Sequence, residues 1–370
     1  MSEKVTARIG WIDEFKGFVL LLVCLFHVEQ SFPQAQMGML HLSALRMSAF
    51  FFISGMLFST RRFASFKDYF IHKTRVLLVP YILLSLLFLA LDPVLYNFDL
   101  FPKAPRMVIM NIRPEIATVW DYIYWNLAKI FVAGKSSIGS GPLWFVFTLY
   151  SVSLIFYGVQ KIVPKKFIFF VSLASLAGGW ILYANHIRLP LGIERDLTVL
   201  FFFANGWLCK GLLKGGNDNK RKALLAAATI ISFAAYAYLE VPDPNFSIMN
   251  NDLGKDLRIF VASSFFGIAG LIGAFVLADK LPNATPVRII KGILRNISRN
   301  ALIILAVHWY TLLVMRLLFK PEINRPGIAY LAIPIVIAVV IGAIPLFRCK
   351  LYRLLGKPRA TLKESLDIKS

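Results

Sequence analysis

About ten blocks, each of roughly twenty apolar residues, follow one another along the chain with only short polar breaks between them. No other feature limits the possible folds as strongly. A block of that length crosses the hydrocarbon core of a bilayer as a helix. Lipid offers no partner to an unpaired backbone N–H or C=O, so such blocks must be helical. They cover 11–32, 39–59, 76–91, 143–159, 167–185, 197–213, 223–239, 259–278, 301–319 and 328–347. With 58% hydrophobic and only 16% charged residues, the composition is too apolar for a soluble domain. The expected fold is all-α: a polytopic membrane protein of about ten transmembrane helices, one domain over residues 1–370.

A net charge of +21 would suit a nucleic-acid binder, but the basic residues are distributed as a topology signal. The N-terminus, alternate loops and the 348–370 tail hold 27 Lys and Arg, with Lys210 counted in its adjoining loop; the opposite loops hold 11. The positive-inside rule then places both termini in the cytoplasm of a cell-membrane protein, with the lipid bilayer rather than nucleic acid as partner. Cys24, Cys209 and Cys349 are far apart and form neither a disulfide framework nor a metal-ligand spacing. No cleavable leader is expected. The longest loop, 92–142, contains Pro102, Pro105 and Pro114, then the aromatic "EIATVWDYIYWNLAKIFVAG" (115–134). This stretch is expected to lie as a helix at the outer surface. As an eleventh span it would carry the basic tail outside. "GKSSIGSGP" (134–142) reads as flexible Gly/Ser chain, and its "AGKS" lacks the earlier glycine of a phosphate loop.

Ionisable groups within spans are costly and therefore point to function. They are unevenly placed: Lys16, His27 and Glu29 in the first span, Arg46 in the second, His308 in the ninth. On a helix, Asp13, Lys16, Leu20, Cys24 and His27 fall on one stripe, and Asp13 can pair with Lys16 at i,i+3. Glu29 points away from His27. The rise per residue puts His27 about 22 Å from the cytoplasmic start of its helix, and Arg46 about 10 Å below the outer surface. It puts His308 about 10 Å above the cytoplasmic end of its span. Three helices could thus line a polar shaft. Each residue has a plainer reading: His27 or His308 as a satisfied buried histidine, Arg46 as partner of Glu29, Arg75 as a boundary marker. A transporter or lipid-linked-substrate flippase would also use polar groups in spans, though no inverted repeat is visible.

"RIGWIDEFKGFVLLLVCLFHV" followed by "LRMSAFFFISGMLFS" resembles the opening of the acyltransferase family 3 membrane proteins. Arg8, Asp13, Lys16 and His27 fit the family's first helix, and Arg46, Met47 and "FFFISG" its second. "KTRVLLVPY", "GPLWFVFTLY" and "ISRNALIILAVHW" resemble three later elements. Lys16 stands where many members have Arg. The resemblance implies an O-acetyltransferase of the sugar or fucose acetylase kind. Such an enzyme moves an acyl group from acetyl-CoA, or another acyl-CoA, to a cell-surface sugar or polysaccharide, without a metal. It implies His27, Asp13, Lys16 and Arg46 as catalytic residues. Arg8, Arg61, Arg62, Arg75 and Arg299 would hold the donor phosphates, with Arg295 as a further basic group nearby. Trp144 and His308 would meet the acceptor.

Overall fold

A computed structural model describes residues 9–97, 112, 115–213, 219–240, 246–282, 284–319 and 325–360. Arg8, Pro102, Pro105, Pro114 and the end of the basic tail lie outside the described residues.

The described residues form helices joined by short connections, with no strand beyond an isolated bridge between Ser247 and Asp252. The first group comprises α1 (Gly10–Ser31), α2 (Ser43–Met56), α3 (Phe66–Lys73), α4 (Val79–Asn97) and α5 (Val119–Phe131). Then come α6 (Trp144–Ile162), α7 (Ile168–Ala184), α8 (Ile193–Leu208), α9 (Asn219–Glu240) and α10 (Leu257–Asp279). The last three are α11 (Thr285–Arg299), α12 (Ala301–Leu318) and α13 (Pro326–Cys349). Eight helical stretches among the described residues are long and apolar enough to cross a bilayer, and each matches an expected span. The other two expected spans are helical but more polar. α1 carries Asp13, Glu14, Lys16 and Glu29, and α8 opens on Glu194, Arg195 and Asp196. The protein is an all-α, multi-pass membrane protein.

Local chemistry sets the helix ends. Capping boxes, Ser65 with Asp68 and Thr118 with Asp121, start α3 and α5. Pro80 cannot donate a backbone bond, and the chain passes from α3 into α4 through a π turn at Thr74–Leu78. At 13 residues, or about 20 Å, α5 is too short to cross the core. Its Tyr122 hydroxyl donates to buried Asp92 of α4 at 2.9 Å, and Tyr81 donates to Ile130 O at 2.9 Å.

Association between helices in lipid depends on close backbone approach. α2 crosses α8 where Gly55 lies against the Phe203 backbone and Gly206 against the Phe52 backbone; a Cβ on either glycine would collide with the opposite carbonyl. α1 packs against α11 and α12, α10 against α2 and α9, and α13 against α12. α7, α9 and α13 present mostly exposed, apolar surface, as lipid-facing helices do.

The 134–142 segment is not loose chain. Ser136, Ser137 and Ser140 are buried; Ser136 Oγ donates to Gly141 O at 2.5 Å and accepts from Trp144 N at 2.7 Å. Gly139 N reaches Asp92 at 3.4 Å. The serine hydroxyls supply partners that a turn of this composition would otherwise take from water, and so order it.

Candidate active site

Four helices, α1, α2, α6 and α12, line two cavities stacked end to end. The first, of about 290 Å³, is bordered by His27, Arg46, Trp144, Trp309, Phe26 and Asn250 among others. The second, of about 560 Å³, is bordered by Lys16, Arg62, His72, Lys73, Ser59 and Ser298. Along α1 the first lies toward the C-terminal end and the second toward the N-terminal end.

The small cavity is organised around His27. Its Nδ1 donates to Gln30 Oε1 at 3.0 Å, which leaves Nε2 with the lone pair a base requires. Its ring centroid lies 5.2 Å from Phe26, 5.4 Å from His308 and 5.0 Å from Trp309. Trp309 is fixed in turn by an Nε1–H bond of 2.7 Å to Ile138 O, across a close approach to Gly141. Arg46 is buried, its guanidinium carbon 4.0 Å from the centre of the Phe26 ring, and Nη1 donates to Met39 O. Glu29 accepts from Met37 N and Met39 N, at 3.2 and 2.9 Å, and so shapes the α1–α2 turn. Glu29 and Arg46 thus grip the same short segment.

His308 is fully buried and does not border the cavity; it packs against His27. Its Nδ1 donates to Ile304 O at 2.6 Å. His308 lies seven residues, about 10 Å, into α12, which begins at Ala301 beside the cavity that Lys16 borders, while α11 runs beside α1 with Gly17 against Leu294.

Trp144 borders the cavity with its ring 5.5 Å from the Arg195 guanidinium. Arg195 belongs to a buried acidic–basic run, Glu194–Arg195–Asp196, that the sequence reading left in a loop. Its Nη2 donates to Gly134 O at 3.1 Å and Leu191 O at 3.3 Å, while Ser151 Oγ donates to Asp196. Gln30, Trp309 and the 246–250 segment were also missed. That segment is tied down by Asn251, at φ 49°, whose side chain bonds Gly179 O at 2.9 Å and Thr198 Oγ1 at 2.7 Å.

Lys16 and Asp13 do not reach His27. They pair with each other at 3.0 Å, and Ser298 Oγ approaches Asp13 at 3.5 Å. Along α1, Lys16 is about 16 Å and Asp13 about 21 Å from His27. The shared stripe specified a direction around the helix, but the two groups act at different depths. Lys16 and Asp13, implied beside His27 as catalytic residues, thus stand apart from the imidazole, and an apolar layer interrupts the expected polar shaft.

Arg62 borders the basic cavity, and Arg61 is exposed beside it. Ser298 and Ala301 border the cavity, and Arg299, which lies between them in sequence, is not one of its lining residues. Arg75 faces a separate groove of about 710 Å³ with Arg353 and Lys357. Arg295 is committed elsewhere: its Nε and Nη2 donate to buried Glu14 Oε1 at 2.9 and 2.6 Å, clamping α11 to α1.

A family model described as an acyltransferase domain, of the family 3 type, matches residues 9–348. The chain belongs to acyltransferase family 3. The match takes in all four cavity-lining helices of this acyltransferase. No curated protein and no solved structure matches it.

Proposed function

We propose that this membrane acyltransferase moves an acyl group, chiefly acetyl, from cytoplasmic acyl-coenzyme A to a hydroxyl of a cell-surface sugar or polysaccharide precursor. One observation carries the reading: the same four helices line a basic cavity at one level and a histidine–arginine cavity at the other. Coenzyme A is a multiply charged anion on a long flexible arm. Lys16, Arg62 and Lys73 would hold its phosphates through charge-assisted bonds, with Arg61 and Arg299 at the rim and Asp13 orienting Lys16. Arg75 would act from the neighbouring groove. The positive-inside count supports a cytoplasmic position for this basic face and for both termini of a cell-membrane protein.

The thioester end then extends toward His27, where the sugar arrives from the opposite side over Trp144. His27 Nε2 takes the proton of the acceptor hydroxyl. The oxygen attacks the thioester carbonyl, and the resulting oxyanion lies against the Arg46 guanidinium. The C–S bond breaks, the ester forms, and the imidazolium returns its proton to the departing thiolate. His308, packed behind His27, keeps the imidazole in place.

The test uses membranes containing the protein, incubated with acetyl-CoA carrying a labelled acetyl group and with surface glycans from cells that lack it. Label is expected in alkali-labile ester on the glycan, at wild-type His27 only. Absence of labelled ester from every acyl-CoA supplied would overturn the donor assignment.

A further inference from the structure

The two cavities share a single residue, Phe50 of α2. Each of the other three helices changes cavity within one turn. α1 gives Lys16 to the basic cavity and Leu20 to the other; α6 gives Leu149 and Phe145; α12 gives Ala301 and Leu305. Four residues of helix rise about 6 Å, so the wall between the cavities is one turn thick. The side chains that line the cavities on either side of that wall, Leu20, Phe50, Phe145, Leu149 and Leu305, are apolar. Phe50 is half-buried, whereas Phe51, Phe52 and Ile53 behind it are buried. Its ring stands edge-on to Phe145, centroids 4.7 Å apart. Phe145 is itself packed on Phe51 at 5.0 Å.

We infer that Phe50 is the closing element of an apolar neck that admits an uncharged short acyl group to His27 and rejects one bearing a carboxylate. The inference rests on the proposed donor reading, because only a donor bound in the basic cavity has to send its acyl end through this layer. An acetyl thioester passes without losing strong hydration. A succinyl thioester must strip water from an ionised carboxylate at a level lined by apolar side chains, which is costly. Turning the Phe50 ring would open the passage, and the aromatic contact with Phe145 would restore the seal.

The experiment compares acetyl-CoA and succinyl-CoA as donors to surface glycans from cells lacking the protein, with ester-linked acyl groups read by mass spectrometry. Wild type is expected to transfer acetyl at least about a hundredfold faster than succinyl. Phe50→Ser, which widens and hydrates the neck, is expected to raise the succinyl-to-acetyl ratio about tenfold. Phe50→Trp, which narrows the neck, is expected to slow acetyl transfer about tenfold. If Phe50→Ser does not accumulate in the membrane, Phe50→Ala provides the same comparison. An active wild type that uses both donors equally, or a ratio indifferent to residue 50, overturns the neck and leaves the donor reading standing. A wild type inactive with every acyl-CoA overturns the donor reading, and the neck with it.

Discussion

On the proposed reading, the two cavities differ as a reaction chamber differs from a docking site. Around His27 the polar groups are few and each is held: His27 by Gln30, Arg46 by Met39 O and the Phe26 ring, Trp309 by Ile138 O. Around Lys16 the cavity is roughly twice as large, and cations from α1, α3 and the α2–α3 turn face it. Fixed dipoles in a small space suit a transition state; flexible cations in a large space suit a polyanion. One helix serves both because eleven residues separate Lys16 from His27 while keeping them on nearly the same azimuth. The difference teaches that polar groups on a single stripe of a spanning helix can belong to different steps.

The largest expected effect breaks the chamber. His27→Ala should lower kcat about a thousandfold, with normal membrane accumulation, because the proposed general base is removed. Measured transfer at more than a tenth of wild type would leave His27 structural. Next, Arg46→Lys should cost about a hundredfold in kcat. A point charge cannot both cover the Phe26 ring and reproduce the planar fork at Met39 O. Full rescue by Lys would reduce Arg46 to a charge. On the docking side, Arg62→Glu with Lys73→Glu should raise the KM for acyl-CoA at least about tenfold, the worth of one charge-assisted bond, and leave the acceptor KM unchanged. A shift confined to the acceptor would exchange the roles of the two cavities. The smallest effect separates a structural cation from the docking ones. Arg295→Ala should lower the thermal midpoint by several degrees, since Glu14 loses its partner while buried, yet change the KM for acyl-CoA less than twofold.

Much of this was readable in the chain. Apolar blocks long enough for lipid located the helices, and the rare polar residues within them, His27 and Arg46, led to the chamber. What was not readable has physical reasons. A helical wheel reports azimuth, so Asp13 and Lys16 looked like neighbours of His27 although the rise per residue separates them. Glu194, Arg195 and Asp196 read as a loop because charge usually marks an interface; here the Leu189 N–H holds Glu194, two backbone carbonyls hold Arg195 and the Ser151 hydroxyl holds Asp196. Asp92 depends on Tyr122, thirty positions away, and no local pattern announces such a bond. The serines of 136–140 have loop composition, and only their tertiary partners make them rigid. Trp309 followed directly on a flagged histidine, yet its role depends on a carbonyl from another helix connection.

The central claim is that the two cavities open to opposite sides of the membrane and that coenzyme A occupies only the basic one. Single cysteines at Met249, beside the His27 cavity, and at Ser59, in the basic cavity, test it in a background with Cys24, Cys209 and Cys349 replaced. A membrane-impermeant thiol reagent is applied to intact cells and to inverted vesicles, with and without coenzyme A. Met249→Cys should label in intact cells and be indifferent to coenzyme A. Ser59→Cys should label only in inverted vesicles and be protected by coenzyme A. Labelling of both positions from one side, or protection of Met249→Cys instead of Ser59→Cys, would contradict the account.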